Sequence, residues 1–146
     1  MTSFAAQIEE WVRETEERML AVTRDALNTM VNDMQLRERD GGRMRIDTGF
    51  LRLTGKAALN AIPSGPSQKP AGVVSGQYTG ELDTWDGDAL LAVLMDMKLG
   101  DTFYWGWTAA YAPVRNNYDG FMDIPVQNWQ GYINTSTKKL RDRVRR

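Results

Sequence analysis

Residues 3–36 read SFAAQIEEWVRETEERMLAVTRDALNTMVNDMQL, and this stretch decides the fold because no proline or glycine interrupts it. Its apolar residues recur at spacings of three, four and seven, which places them on one stripe of a helix. They are Phe4, Ile8, Trp11, Val12, Met19, Val22, Ala26, Met30 and Met34. Ser3 is a suitable N-cap. We therefore predict one long amphipathic helix over residues 1–36.

The predicted helix is longer than the core of a small protein requires. At a rise of about 1.5 Å per residue it extends over roughly 50 Å. Two interpretations stay open. Either the whole helix packs along a sheet, or part of its apolar face meets another subunit.

The region after the helix predicts a sheet. Residues 37–45 form a charged, glycine-interrupted break, and apolar and polar residues then alternate over residues 44–53, as in a half-buried strand. Residues 57–62 either extend this strand or form a helical turn. Residues 102–107 read TFYWGW, an aromatic content typical of a strand. Between these segments, Pro63–Gly76 holds three prolines and three glycines, which predicts a flexible loop or arm.

The remaining elements complete an α+β pattern. Residues 86–100 predict a short buried helix, because aspartate precedes an apolar run and glycine follows it. Residues 109–120 predict a turn-rich loop around Pro113, and a final helix follows Pro125. We expect an α+β fold in one domain over residues 1–146. In it the long N-terminal helix and the C-terminal helix pack on a small, mostly antiparallel sheet, with the short buried helix between strands.

The composition excludes several chemistries. The 146 residues contain neither cysteine nor histidine, which removes disulfides, thiolate nucleophiles, serine–histidine relays and the common zinc sites. The formal net charge of -1 argues against the whole chain as a nucleic-acid or membrane binder. The first residues lack the pattern of a signal peptide, and no apolar run approaches the ~18 residues of a membrane span. We expect a protein made in the cytoplasm, with no cofactor and no membrane contact.

One tripeptide suggests catalysis. Asp47-Thr48-Gly49 is the active-site motif of aspartic proteases, in which two such carboxylates share a proton. A motif of only three residues often occurs by chance. In addition, those proteases are all-β, whereas a long helix precedes the motif here. The favoured interpretation is a turn or strand start in which Asp47 accepts hydrogen bonds from local backbone donors.

A cluster of aspartates is the candidate for a metal site. Asp83, Asp86 and Asp88 alternate with other residues, as in the first part of a calcium-binding loop. Position twelve counted from Asp83 is Leu94, however, where that loop needs glutamate. The cluster is better interpreted as a helix cap on a solvated loop, so no metal site is predicted.

The two ends of the chain carry opposite charge. The first forty residues contain nine acidic and five basic residues, whereas Lys138–Arg146 contains six basic residues and one acidic residue. This basic tail is either a nucleic-acid contact, since phosphates require only clustered cations, or a solvated helix end whose cations suit the helix dipole. A transient DNA contact belongs to the first interpretation.

Aromatic residues concentrate between Phe103 and Tyr132. On a strand, Phe103, Trp105 and Trp107 point to one face and Tyr104 to the other. One set can fill a core, but both sets cannot easily do so in a protein of this size. Because tryptophan, tyrosine and arginine are frequent at interface hot spots, part of the cluster is a candidate partner surface. A purely internal role is the alternative.

Several segments resemble one family in order along the chain. Residues 45–52 read RIDTGFLR, which is similar to the Asp-Thr-Gly-x-Leu-Arg signature of the tail-completion or neck proteins that join head and tail in long-tailed phages. Residues 89–94 (ALLAVL), 98–104 (KLGDTFY) and 110–113 (AYAP) follow the order of the same family. The family usually continues with Glu-Tyr-Gly, whereas residues 114–121 read VRNNYDGF and lack that glutamate.

The resemblance implies a structural virion protein of the neck or upper tail, assembled in the host cytoplasm and acting without catalysis. Such proteins work as rings, often sixfold. The implied partners are copies of the chain itself in a hexamer, and neighbouring head-closure, connector and tail proteins. Contacts are expected from a strand over residues 48–53, its basic flanks and the aromatic region. The predicted interface residues are Arg43, Arg45, Asp47, Arg52, Trp105, Trp107, Tyr111, Arg115 and Tyr118. A tail-terminator ring subunit and a small cytosolic interaction module remain alternatives.

Overall fold

The computed structural model describes residues 3–76 and 82–145. Its longest element is helix α1, Phe4–Gln35, so the long helix predicted over residues 1–36 is confirmed. The first two residues of that prediction lie outside the described residues. The hydroxyl of Ser3 accepts a hydrogen bond from the backbone N–H of Ala6 (3.1 Å), as an N-cap does.

The described strands form one antiparallel pair. Strand β1 spans Gly55–Leu59 and strand β2 spans Phe103–Trp107, in a register that opposes Gly55 to Trp107 and Leu59 to Phe103. The strand predicted from the aromatic run is confirmed. Helices packed on this small sheet make the fold α+β, as the sequence predicts.

In the described residues, α1 is followed by a short 3₁₀ helix, Glu38–Asp40, and by five shorter α-helices. They are α2 (Phe50–Leu53), α3 (Asp88–Asp96), α4 (Ala112–Asp119), α5 (Asp123–Gln127) and α6 (Trp129–Val144). Helix α6 runs antiparallel to α1, since Tyr132 donates a hydrogen bond to Asp33 and Ser136, one turn later, donates to Asp25. Both bonds are 2.6 Å long.

Two apolar clusters form the core, and Trp107 packs against both of them. The first cluster joins the C-terminal half of α1 to α3. It contains Leu27, Met30, Val31, Met34, Leu90, Leu94 and Met97. The second cluster joins the segment around α2 to α4. It contains Met44, Phe50, Leu51, Ala109, Ala112 and Phe121.

The strand predicted over residues 44–53 is wrong. Met44 makes only an isolated bridge to Arg37, and the chain turns at Gly49 into the single helical turn of α2. The backbone of Gly49 has φ 90°, a left-handed conformation that ends any strand at this point. The alternation of apolar residues therefore arises from a tight turn, and the strand begins later, at Gly55.

The loop predicted around Pro113 is also wrong. This segment forms helix α4, with the proline in its first turn, where the missing N–H has no helical partner to lose. Gly120 closes the helix in a left-handed conformation. The final helix predicted after Pro125 is confirmed with one change: Pro125 lies inside the short helix α5, and α6 follows at Trp129.

The other predictions for the middle of the chain are confirmed in part. Helix α3 is the predicted short helix; Leu90 and Leu94 are buried, whereas Leu91 and Met95 are exposed. The segment Pro63–Gly76 forms a loop without strand or helix. Its flexibility and its role as an arm stay predictions.

The N-terminal half of α1 differs from the rest of the helix. The fully buried residues of α1 begin only at Ala26, Leu20 and Val22 are half-buried, and the large apolar residues before Leu20 are exposed. Phe4 is 78% exposed and Trp11 is 64% exposed. We call residues 4–19 the α1 arm.

Candidate functional site

A cleft of about 570 Å³ lies between the turn before α2, the loop Pro63–Gly76 and the start of α4. It brings together four of the nine predicted interface residues. Those four are Arg45, Asp47, Tyr111 and Arg115. The remaining lining residues are Ile46, Thr48, Gly49, Leu51, Lys69 and Ser75.

The Asp-Thr-Gly tripeptide builds one wall of the cleft. The hydroxyl of Thr48 accepts a hydrogen bond from the N–H of Phe50 (3.3 Å), which holds the turn into α2. A Cβ on Gly49 would lie 2.5 Å from the backbone nitrogen of Asp83, so only glycine fits there. The exposed Asp47 accepts a hydrogen bond from the N–H of Gly76 (2.8 Å) and so ties the loop to this wall. Asp47 was predicted to accept hydrogen bonds from local backbone donors; it does accept a backbone hydrogen bond, but from a donor 29 positions away.

The floor of the cleft is apolar and aromatic. Tyr111 packs against Phe50, with ring centroids 6.4 Å apart, and Lys69 lies 5.4 Å from the centre of the Tyr111 ring. Burial, and after it the negative charge of Asp47, raise the pKa of Tyr111 above its ordinary value. The phenol is therefore neutral at physiological pH, and the floor can accept an apolar side chain.

The rim of the cleft is cationic. Arg115 binds both carboxylate oxygens of Asp119 (2.8 and 2.9 Å), and Arg45 lies 3.6 Å from the same buried carboxylate. Lys69 donates a hydrogen bond to Ser75. Asp119 pairs with both guanidinium groups, and Arg45 also lies 3.2 Å from Glu38. Among the described ion pairs none engages Lys69, so this lysine carries the positive charge of the rim that no carboxylate offsets.

Arg52 has a structural role, and its predicted interface role stays a prediction. Its guanidinium group donates to Asp83 (2.6 Å) and to the backbone oxygen of Gln35 (2.8 Å), and it lies over the ring of Trp85. Arg37 donates to the same aspartate (2.9 Å). These contacts fasten the segment before α3 to the end of α1.

Asp83 was predicted to lie on a solvated, helix-capping loop, but its side chain is only 3% exposed. Burial of its carboxylate raises its pKa, but hydrogen bonds from Arg52 and Arg37 outweigh this effect and leave the pKa below its ordinary value. The carboxylate is ionised and fully engaged by two arginines. No signal in the local spacing reveals this pairing, because the partners lie 31 and 46 positions away.

Trp105 and Trp107 are half-buried and pack against the core, and their predicted interface role stays a prediction. The indole N–H of Trp107 donates to the side chain of Gln35 (2.8 Å), and its ring packs edge-on against Phe121 with centroids 4.8 Å apart. Trp105 packs edge-on against Trp107 at 5.8 Å. The remaining predicted interface residues, Arg43 and Tyr118, are exposed but lie outside the cleft lining.

The described residues offer little for catalysis or metal binding. Asp47 is the sole carboxylate among the described residues that line the cleft, whereas aspartic proteases need two. In residues 3–76 and 82–145, no group of three acidic side chains is arranged to hold a metal ion. Within the same ranges, no helix combines the length and the apolar character that crossing a membrane requires.

No family model, no curated protein and no solved structure matches the chain. Two features of the molecule bear on its function, namely the cleft and the exposed α1 arm.

Proposed function

We propose that the chain is a ring-forming structural subunit of the joint between the head and tail of a phage or phage-like particle, acting by assembly and without catalysis. The observation that carries this proposal is the uncovered apolar stripe of the α1 arm. Phe4, Ile8, Trp11 and Met19 stand exposed on it. Large contiguous apolar surfaces on a folded protein are typical of surfaces that bind a partner.

The cleft supports the same proposal. It combines an apolar floor with a cationic rim, and such a combination of aromatic and arginine side chains is frequent in protein interfaces. It also contains the Asp-Thr-Gly segment on which the resemblance to neck proteins rests. In a ring, each subunit presents one surface to the neighbour on one side and a different surface to the neighbour on the other.

Three alternatives remain. A tail-terminator ring subunit has the same type of interface and differs only in its position. A cytosolic interaction module would stay monomeric and would not associate with particles. A hydrolase would use Asp47, and reproducible cleavage of a peptide library that disappears in Asp47→Asn would contradict a purely structural role.

Quantitative mass spectrometry of density-purified particles from the producing culture tests the proposal. Isotope-labelled peptides of this chain, added in known amounts, give the copy number per particle. We expect a small, fixed number that is a multiple of six. A chain that is abundant in the lysate but absent from the particles would refute the proposal.

A further inference from the structure

We infer that the α1 arm of one copy of this chain docks in the cleft of a second copy. The inference rests on the proposed function and names the two surfaces that would join neighbouring subunits. It follows from the geometry of the arm, from the direction in which the arm leaves the core and from the charges on the two surfaces.

The exposed apolar stripe of the arm lies on the same face of α1 that α6 covers farther along the helix. Eighteen residues make five helical turns at about 3.6 residues per turn, so positions eighteen apart lie on the same face. Val22 lies beside α6, and Asp33 accepts a hydrogen bond from Tyr132 of α6. Phe4 and Thr15 lie eighteen positions before these two residues. The stripe of the arm therefore continues a packing face whose covering helix ends at Val144.

The arm cannot cover itself by reaching the cleft of its own chain. It is part of one continuous helix, without proline or glycine, whose C-terminal half is fixed in the core. A helix of sixteen residues extends about 24 Å at 1.5 Å per residue, so the arm projects away from the core. No described segment of the chain covers its large apolar side chains, so they are available to a second molecule.

Charge favours the cleft of a second copy over a second arm. The arm holds five glutamates and two arginines. Glu9 and Glu16 are seven positions apart and flank the same side of the stripe, so two arms paired side by side would bring like charges together. The cleft is instead lined by three cationic side chains and one carboxylate around an apolar floor. Because Arg45 and Arg115 are paired with Asp119, and Arg45 also with Glu38, the charge that can attract a glutamate of the arm rests on Lys69.

The aromatic residues of the arm suit this cleft as well. The floor of Ile46, Leu51 and Tyr111 can receive Phe4 or Trp11, and a tryptophan beneath cationic side chains gains cation–π attraction. Every copy carries one arm and one cleft. The contact is therefore heterologous, and repeating it closes a ring or extends a filament.

The test uses the full chain and two variants, one altered only in the arm and the other altered only in the cleft. Trp11→Glu places a charge on the arm, and Lys69→Glu reverses a charge on the cleft rim. Met95→Glu is the matched control, because Met95 is 68% exposed on α3 and belongs to neither the arm nor the cleft lining. Analytical ultracentrifugation measures association, and circular dichroism verifies that each variant is folded. Ile8→Glu and Arg45→Glu replace either variant that fails this check.

We expect the wild-type chain and Met95→Glu to associate, and each interface variant to associate at least about thirtyfold more weakly, the size of a hot-spot effect. The decisive result comes from mixing Trp11→Glu with Lys69→Glu. The mixture should form one-to-one dimers that grow no further, because the intact arm of the second variant enters the intact cleft of the first. A mixture that stays monomeric, or a wild-type chain that never associates, would overturn the inference.

Failure of the inference is distinguishable from failure of the proposed function. Dimers in the mixture together with absence of the chain from particles would retain the arm–cleft contact and reject the neck role. A fixed copy number in particles together with unaffected association of both variants would retain the neck role and reject the arm–cleft contact.

Discussion

The two halves of α1 have the same amphipathic pattern but different surroundings. In the C-terminal half, Met34 is 2% exposed and packs in the first core cluster. In the arm, Met19 occupies the same kind of stripe and is 56% exposed. The comparison teaches that hydrophobic periodicity specifies a helix and the face it will bury, but not whether the covering surface belongs to the same chain.

The two halves of α1 also differ in their polar contacts. Arg24, near the middle of α1, donates hydrogen bonds to the backbone oxygens of Leu94 (2.7 Å) and Met97 (2.6 Å) at the end of α3. Asp25 and Asp33 accept hydrogen bonds from α6. Beyond Arg24 the helix is held in the core on two sides. We therefore expect substitutions in this half to change stability and substitutions in the arm to leave it nearly unchanged.

The largest effect is expected from Asp83→Asn, which leaves Arg52 and Arg37 without their shared buried carboxylate. Removing one partner of a buried ion pair costs about 3 kcal/mol of unfolding free energy. Because the pKa of Asp83 is lowered on folding, its contribution is present above the ordinary value of 3.8 and is lost as the pH falls through the lower, folded value.

Urea denaturation of wild type and Asp83→Asn between pH 7 and pH 3 measures this effect. The difference in unfolding free energy should stay constant down to about pH 4 and shrink below it. Asp96→Asn, at an exposed position on α3, is the control. A wild type that is no more stable than Asp83→Asn at pH 7 would show that this ion pair does not anchor the segment.

A matched pair of methionines tests the comparison itself. Met34→Ala should lower the unfolding free energy by about 3 kcal/mol, because it opens a cavity in the core. Met19→Ala removes the same atoms from an exposed site and should change it by less than about 0.5 kcal/mol. Chemical denaturation at a concentration where the chain is monomeric measures both values. Equal losses would mean that the arm is packed in the monomer.

Tyr132→Phe should have a smaller effect within the covered half. The substitution deletes the hydrogen bond to Asp33, worth about 1–1.5 kcal/mol. Burial, and next the bond to Asp33, raise the pKa of Tyr132 to about 12. Its contribution to stability is therefore present below the ordinary pKa of 10 and is lost as the pH rises towards 12. Ultraviolet titration should lose this late phenol ionisation in the variant, and Tyr118→Phe serves as the exposed control.

The smallest global effect is expected from Ser3→Ala. It removes the N-cap of α1, which loosens the first turn of the arm. Because the arm contributes little to the fold of the monomer, the unfolding free energy should change by less than about 0.5 kcal/mol. A larger loss in thermal or chemical denaturation would indicate that the arm and the core unfold as one unit.

The sequence predicted the elements whose signals are local. The periodicity of α1, the capped apolar run of α3 and the aromatic strand β2 each lie in one continuous segment, and each was found. The predictions that were wrong concern segments in which a single residue sets a backbone conformation different from the one that the sequence pattern indicates. Gly49 turns an alternating segment into a helical turn, and Pro113 begins a helix where a loop was predicted.

The candidate site was only partly predictable. Arg45, Asp47, Tyr111 and Arg115 converge on the cleft, although they come from segments more than sixty residues apart. Arg52 pairs with Asp83, which lies 31 positions away along the chain, and local sequence spacing cannot reveal such a partner. The two tryptophans of β2 pack against the core while part of each side chain stays accessible, so their predicted interface role stays a prediction.

The central claim is that the α1 arm is an interface and the C-terminal half of α1 is core. Amide hydrogen exchange along α1, measured at monomeric and at assembling concentrations, tests it most directly. We predict that residues 22–35 are protected at both concentrations, whereas residues 4–19 exchange rapidly in the monomer and become protected only on assembly. Protection of the arm that is already complete in the monomer, or that does not change when the chain assembles, would contradict the account.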